Sequence, residues 1–150
     1  MPDDIGALYF RLFNEIGIVE QLSRALFEAR LPDGMLTSHF SVLNHLIRVK
    51  DGRTPVELAR AFQVAKTTMT HTLSGLEAAG LVDMRPNEQD GRSKRVWLNA
   101  AGRAFRDDAI AMMAPEMQDL AREFTPEQAA KILPELEALR KIMDARRSRS

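Results

Sequence analysis

The chain is predicted to be a mostly helical α+β protein. Apolar residues recur at steps of three and four along most of its 150 residues, the period of amphipathic helices. In two short runs between residues 82 and 98 the pattern changes to strict alternation, the period of strands. Two Thr-Pro-x-Glu/Gln tetrapeptides, Thr54–Glu57 and Thr125–Gln128, carry the capping-box signature of a helix start. The length suits a single domain, or two lobes sharing a core, over residues 1–150.

Residues 4–29 form the first expected helix, with Ile5, Leu8, Leu12, Ile16, Val19, Leu22 and Leu26 on one stripe. Leu31-Pro32-Asp33-Gly34 breaks it. Thr37 is expected to cap a second helix whose apolar side holds Phe40, Leu43, Leu46 and Ile47. After the turn Lys50-Asp51-Gly52, Thr54 caps a short third helix with Pro55 at its first position and Glu57 reaching back. A turn at Gln63-Val64 leads to a fourth helix, about Lys66–Ala79, closed by Gly80. Val82 and Met84, then Val96 and Leu98, alternate with polar neighbours across the loop Pro86–Arg92, which makes a β-hairpin. Asn99 caps a further helix carrying Phe105, Ala109, Met112, Met113, Met117, Leu120 and Phe124, with a kink expected at Pro115. Thr125 opens a last helix with Ile132, Leu133, Leu136, Leu139 and Met143, in which Pro134 implies a bend or a late start. The tail from Arg146 to Ser150 is expected to fray.

Composition narrows the chemistry. There are no cysteines, which excludes disulfides, thiolate metal sites and cysteine nucleophiles. No apolar run approaches the length of a membrane span. The start, Met1-Pro2-Asp3-Asp4, lacks a basic region followed by an apolar one, so no signal peptide is expected and the expected location is cytoplasmic, away from any membrane. Net charge is zero, but residues 53–106 carry 9 basic and 5 acidic groups, whereas residues 107–139 carry 2 and 8. A basic centre between acidic flanks is compatible with local contact to DNA, and equally with an ordinary solvated face.

A capped short helix, a tight turn, a second helix and a polar-tipped hairpin follow one another in the order of a winged helix-turn-helix. An α-helix fits the major groove of B-DNA, where base edges present distinguishable donors and acceptors. In the fourth helix Met69, Leu73 and Leu76 share one face. Thr67, Thr70, His71 and Ser74 share the opposite one, with Lys66 at the start. That outer face is short, hydrogen-bonding and free of carboxylates, whereas a plain solvated face would carry more Glu and Lys. In the hairpin, Arg85, Asp90, Gly91, Arg92, Lys94 and Arg95 are the candidate wing residues. Gly91 allows a positive φ at the tip, Arg92 suits the negative potential of a minor groove, and Lys94 and Arg95 suit phosphates. The plainer alternative is a charged hairpin with no DNA role.

These residues carry a resemblance. Pro55-Val56-Glu57-Leu58-Ala59, then Val64 through Leu76-Glu77-Ala78-Ala79-Gly80-Leu81-Val82, then Asp90-Gly91-Arg92 and Leu98-Asn99-Ala100-Ala101-Gly102, resemble the MarR family of bacterial regulators over nearly the whole chain. Asn99 stands where the family usually has Thr, and Ala65 where it usually has a Ser opening the recognition helix, a loss that Thr67 compensates. The resemblance implies a triangular homodimer. A DNA-binding lobe of about residues 37–99 would join dimerisation helices of about residues 4–30 and 100–146. The dimer would read a pseudo-palindrome with half-sites about 34 Å apart. It also implies that Asp90 braces the wing through an ion pair, that Arg92 enters the minor groove, and that the helix around Thr70 and His71 reads the major groove. A small, anionic aromatic effector would bind where the DNA lobe meets the dimer helices, and His39, Phe40 and Leu43 are the candidate pocket residues. Its binding would shift the two recognition helices apart and so release DNA.

Few other residues point elsewhere. His39 and His45 stand about 120° apart around one helix and cannot share a metal, so neither a metal nor a cofactor is expected. Met112 and Met113 read as core filler, and Trp97 as packing the hairpin against a helix. No Walker A loop, Gly-x-Ser-x-Gly elbow, His-Glu-x-x-His or dinucleotide glycine fingerprint occurs, so no enzyme is expected. The expected function is a sequence-specific transcriptional regulator, acting as a repressor. The competing reading is a winged-helix protein-interaction module without sequence-specific DNA binding.

Overall fold

The computed structural model describes residues 4–149. Met1, Pro2 and Asp3 of the acidic start, and Ser150 of the tail, lie outside the described residues. Among those described, seven helices and one small antiparallel sheet follow in the order α1 (Ile5–Glu28), α2 (Thr37–Arg48), α3 (Pro55–Phe62), α4 (Lys66–Ala78), β1 (Val82–Pro86), β2 (Lys94–Leu98), α5 (Ala100–Met112), α6 (Ala114–Leu120) and α7 (Pro126–Arg147). The chain divides into two compact units at Met112. α5 therefore goes with the N-terminal unit.

The N-terminal unit holds the core. Val42, Leu43 and Leu46 of α2, Leu58 and Ala59 of α3, Met69, Leu73 and Leu76 of α4, and Leu81, Val82 and Val96 of the hairpin form one buried cluster. The fold follows from it: three short amphipathic helices and a hairpin each bury one apolar face against the others. β1 and β2 pair with Val82 opposite Leu98 and Met84 opposite Val96. Arg53 adds a one-residue bridge to Val96, its carbonyl accepting the Val96 N–H at 2.8 Å. This third strand is too short to leave any alternation in the sequence.

Capping follows the expectations at three helices, and a fourth cap, Asp4, was not foreseen. Asp4 accepts from Gly6 N at the start of α1. Thr54 and Glu57 exchange side-chain and backbone bonds at α3, as do Thr125 and Gln128 at α7, and Asn99 accepts from Gly102 N at α5. α4 closes with Gly80 at φ +73°.

Three expectations are corrected, and that for Pro134 is narrowed to a bend. Thr37 does not cap α2; it is the first helical residue. The exposed amides are served from elsewhere: Leu36 N donates to His39 Nδ1 at 2.8 Å, and Thr37 N donates to the Glu28 carboxylate at 2.9 Å. A carboxylate is a stronger acceptor than a hydroxyl at the positive end of a helix. Pro115 does not kink one long helix. α5 ends at Met112 and Pro115 sits in the first turn of α6, where a missing N–H costs nothing. Pro134 lies inside α7, which starts without delay at Pro126. Gly91 is not among the positive-φ residues. The tip turns instead through side chains: Asn87 Oδ1 accepts from Gln89 N and Asp90 Oδ1 from Arg92 N, the Asx-turn chemistry that replaces a glycine.

Candidate nucleic-acid interface

α4 presents the expected outer face. Met69, Thr72, Leu73 and Leu76 are buried, and Lys66, Thr67, Thr70, His71 and Ser74 are all exposed. Thr72 is the buried polar residue the periodicity did not single out; its hydroxyl donates to the Thr68 carbonyl, so it is satisfied within the helix. Ala65 opens the helix with no side-chain cap.

α4 is placed by a close approach to α2. The His39 ring lies over Gly75, so tightly that a Cβ there would come within 2.7 Å of Nε2. Because Nδ1 accepts from Leu36 N, the neutral imidazole carries its proton on Nε2. Burial, and then the charge of His71 on α4, push the His39 pKa below its usual value. His39 is thus a packing residue between two helices. The other two candidate pocket residues are also structural. Phe40 packs edge-on against Phe27 at 4.6 Å, and Leu43 is 0% exposed in the core. None of the three lines the cleft of about 380 Å³ that opens beside α1, α2 and α4 among Arg24, Val42, Phe62 and Met69. An apolar face at helical spacing was filled by core packing before it could line a pocket.

Beyond its apolar base, the wing is held by polar ties. Asp51 accepts from Gly52 N and, 47 residues away, from Leu98 N at 2.9 Å. Gly52 has φ +68°, and a Cβ there would strike the Trp97 ring at 2.4 Å. Trp97 therefore packs on this turn, with Arg85 Cζ 5.9 Å from its ring centroid. Arg95 donates through Nη1 to the Gly52 carbonyl at 2.8 Å and through Nε to Asn87 Oδ1 at 3.2 Å, so two of its three guanidinium nitrogens are committed within the wing. Arg85 is exposed and 3.7 Å from Asp83. Asp90 meets Arg92 through the backbone N–H; the ion pair expected of it is replaced by this bond, which leaves the Arg92 guanidinium outward. Arg92, Lys94 and Gly91 are exposed.

A second polar cluster sits under α3. Arg53 Nη1 lies 2.9 Å from His45 Nε2; a guanidinium only donates, so Nε2 accepts and His45 is neutral with its proton on Nδ1. Burial, Arg53 and Arg48 push the His45 pKa down. The Glu57 carboxyl is held below its usual range chiefly by the Thr54 N–H.

Among the described residues no group of three or more His, Cys, Asp or Glu could hold a metal ion, and no helix is long and apolar enough to cross a membrane. Asp51, Gly52, Asn87 and Gly75 are the positioning residues that sequence reasoning missed. The Lys50-Asp51-Gly52 turn signal pointed at the first two, and nothing in the pattern pointed at the others.

Comparison with known proteins agrees with this geometry. A model of the MarR family matches residues 33–93, the stretch from the start of α2 to the wing tip. The transcriptional activatory protein BadR of Rhodopseudomonas palustris is 31% identical over 98 residues, 64% of this chain and 54% of that protein. The chain thus spans about half the length of that curated relative. Among solved structures, a mutant MarR from E. coli complexed with operator DNA is 25% identical over 91% of this chain and 99% of that one, with a TM-score of 0.70. The transcriptional regulator BldR from Sulfolobus solfataricus shares the fold, at 23% identity, 95% and 99% coverage and a TM-score of 0.76. The fold, the order of its motifs and these likenesses agree: residues 33–93 match the MarR family, and the chain shares the fold of MarR structures.

Proposed function

We propose that this chain is a DNA-binding regulator of transcription. It would act in the cytoplasm as a homodimer on a pseudo-palindromic operator, without enzymatic chemistry. The observation that carries this reading is the outer face of α4, with Lys66, Thr67, Thr70, His71 and Ser74 exposed and its one carboxylate, Glu77, confined to the last turn, beside a wing whose Arg92 and Lys94 also stand exposed. Such a helix can donate to and accept from base edges in a major groove, with the wing cations reaching the adjacent minor groove and phosphates. Arg85 flanks the same surface, and Asp90 and Gly91 would shape the tip. The E. coli MarR structure with operator DNA supports this docking by likeness.

In this reading residues 37–99 are the DNA-binding lobe, and the helices within 4–30 and 100–146 are the dimer contacts. α1 leaves Ile5, Leu8, Tyr9 and Phe10 more than half exposed, and in its own unit α7 does the same with Leu133 and Ile142. A second copy would remove such apolar area from water. Sedimentation of the purified chain at micromolar concentration should give the dimer mass; a monomer refutes this part.

Bound over a promoter, the dimer would exclude polymerase, and we take repression as its mode. The Rhodopseudomonas relative is named an activatory protein, so a reporter fusion to the recovered operator reads the direction. An effector would enter the cleft beside α1, α2 and α4. The one cation lining it, Arg24, is already paired with Glu20, which favours a mostly apolar small molecule over the anionic aromatic that the resemblance implied.

The test is recovery of sheared host genomic DNA on the purified protein at about physiological salt, where specific and non-specific binding separate. A few enriched fragments sharing a pseudo-palindrome are expected. Uniform recovery overturns the reading in favour of a winged module for protein partners.

A further inference from the structure

A two-stranded hairpin is a weak platform for aiming cations, and this one projects a loop of polar residues beyond its last ladder bond. One side chain links that loop to the body of the unit. The half-buried Arg95 donates through Nη1 to the Gly52 carbonyl at 2.8 Å and through Nε to Asn87 Oδ1 at 3.2 Å. Asn87 is itself buried, where β1 gives way to the loop. Its Oδ1 also accepts from Gln89 N at 3.1 Å, and its Nδ2 donates to Ser93 Oγ at 3.0 Å. At the other end, Gly52 is pinned by Asp51 and Trp97 and stands two residues before Thr54, the cap of α3. The guanidinium therefore ties the two ends of the wing loop to the turn that starts the helix-turn-helix.

We infer that Arg95 and Asn87 are positioning residues for the wing: they set where Arg92 stands relative to α4 and do not themselves meet DNA. This rests on the DNA-binding reading above. Chemistry separates the two roles. A phosphate accepts any nearby cation, so Lys would serve as well as Arg. Bridging two acceptors in different directions needs the planar, multi-donor guanidinium, which Lys cannot replace. Asn87 is buried and both of its amide atoms are committed within the wing, so its loss weakens DNA binding through the geometry it holds.

The test uses the full chain and a random-sequence DNA duplex at fixed low ionic strength, with variants Arg92→Ala, Arg95→Lys, Asn87→Ala and the two pairings of Arg92→Ala with the others. Arg92→Ala is expected to weaken binding about fivefold, the equivalent of one lost charge contact. Arg95→Lys and Asn87→Ala should each lose about as much, and neither should lose more when Arg92→Ala is added, because the contact they position is already gone. Amide exchange at Gln89 and Arg92 should rise in Arg95→Lys while that of α4 stays unchanged. Parent-like binding by Arg95→Lys, multiplied losses in the pairs, or unchanged exchange overturns the proposal while leaving the wing's DNA role standing. If Arg92→Ala itself binds like the parent, the wing has no DNA role and the proposal falls with that reading.

Discussion

The recognition helix and the wing are neighbours in one surface but are held by different physics. α4 rests on Met69, Leu73 and Leu76 within a continuous apolar core, and the exposed face is a by-product of where those three point. The base of the hairpin is anchored in that core by Val82 and Val96, but its outer part and loop are fixed by Asp51, Arg95 and Asn87 through hydrogen bonds. Apolar packing is insensitive to salt and pH and tolerates small polar changes on the far face. Polar ties are directional and fail one partner at a time. The helix should therefore behave as the rigid half of the interface and the wing as its adjustable half.

The largest effect should come from breaking the helix side at its base. Leu76 is 0% exposed, and Leu76→Ala removes buried methyls and leaves a cavity, at a cost of about 3 kcal/mol. Chemical denaturation should show it as a lowered midpoint with the wing and helices lost together. A midpoint shift under about 1 kcal/mol would mean that α4 is not seated on the core as described. Gly75→Ala is expected to cost about 2 kcal/mol by overpacking, since its Cβ would stand 2.7 Å from His39 Nε2. The sharper check is His39→Ala in the same chain, which removes the clash. Gly75→Ala should then cost less in the His39→Ala background than in the parent. Equal costs in both would show that α2 and α4 do not touch there.

The same division decides how much was legible in the sequence. Helix existence, the Thr54 and Thr125 capping boxes, the Gly80 stop and the inward triplet of α4 are all local or periodic signals, and they appear as expected. The errors fall where a distant partner decides. Thr37 lost its capping role to Glu28, nine residues back. Arg95, expected to face phosphates, also donates to Gly52, 43 residues away, and Trp97 packs on that same turn. His39, Phe40 and Leu43 were assigned to a pocket because a helix face looks alike whether it meets a ligand or another helix. Pro115 was misplaced for another reason: proline inside an apolar stripe is compatible with a kink or with a new helix start, and periodicity alone does not separate the two.

A pH titration of stability tests the polar half. Both His39 and His45 have pKa values lowered below 6.5 in the folded chain, so the folded state binds fewer protons than the unfolded one just below that pH. Their contribution is complete above about pH 6.5, declines as pH falls from there to the folded values, and changes no further below them. Protonation of His45 would place a cation against Arg53, with Arg48 adding to the repulsion, and would remove the acceptor of a 2.9 Å bond. Urea midpoints should fall between pH 7 and pH 5, before the lowered carboxyls Glu28 and Glu57 begin to titrate. The slope should be shallower in His45→Gln. A midpoint flat across that window would show that neither ring is held neutral.

The smallest effect on stability should be the most informative about the interface. His71 is exposed on the outer face of α4, so His71→Ala gives up little packing and should move the unfolding free energy by less than about 0.5 kcal/mol. If that face reads base edges, the same substitution should redistribute which genomic fragments are recovered, because a side chain that donates or accepts in the groove discriminates by about 1–3 kcal/mol per base pair. A side chain that merely faced solvent would leave both quantities unchanged. One that packed against the core would move stability first and binding only as a consequence. The combination of unchanged stability and altered fragment choice is therefore the outcome that a rigid helix presenting a reading face produces and the other two arrangements do not.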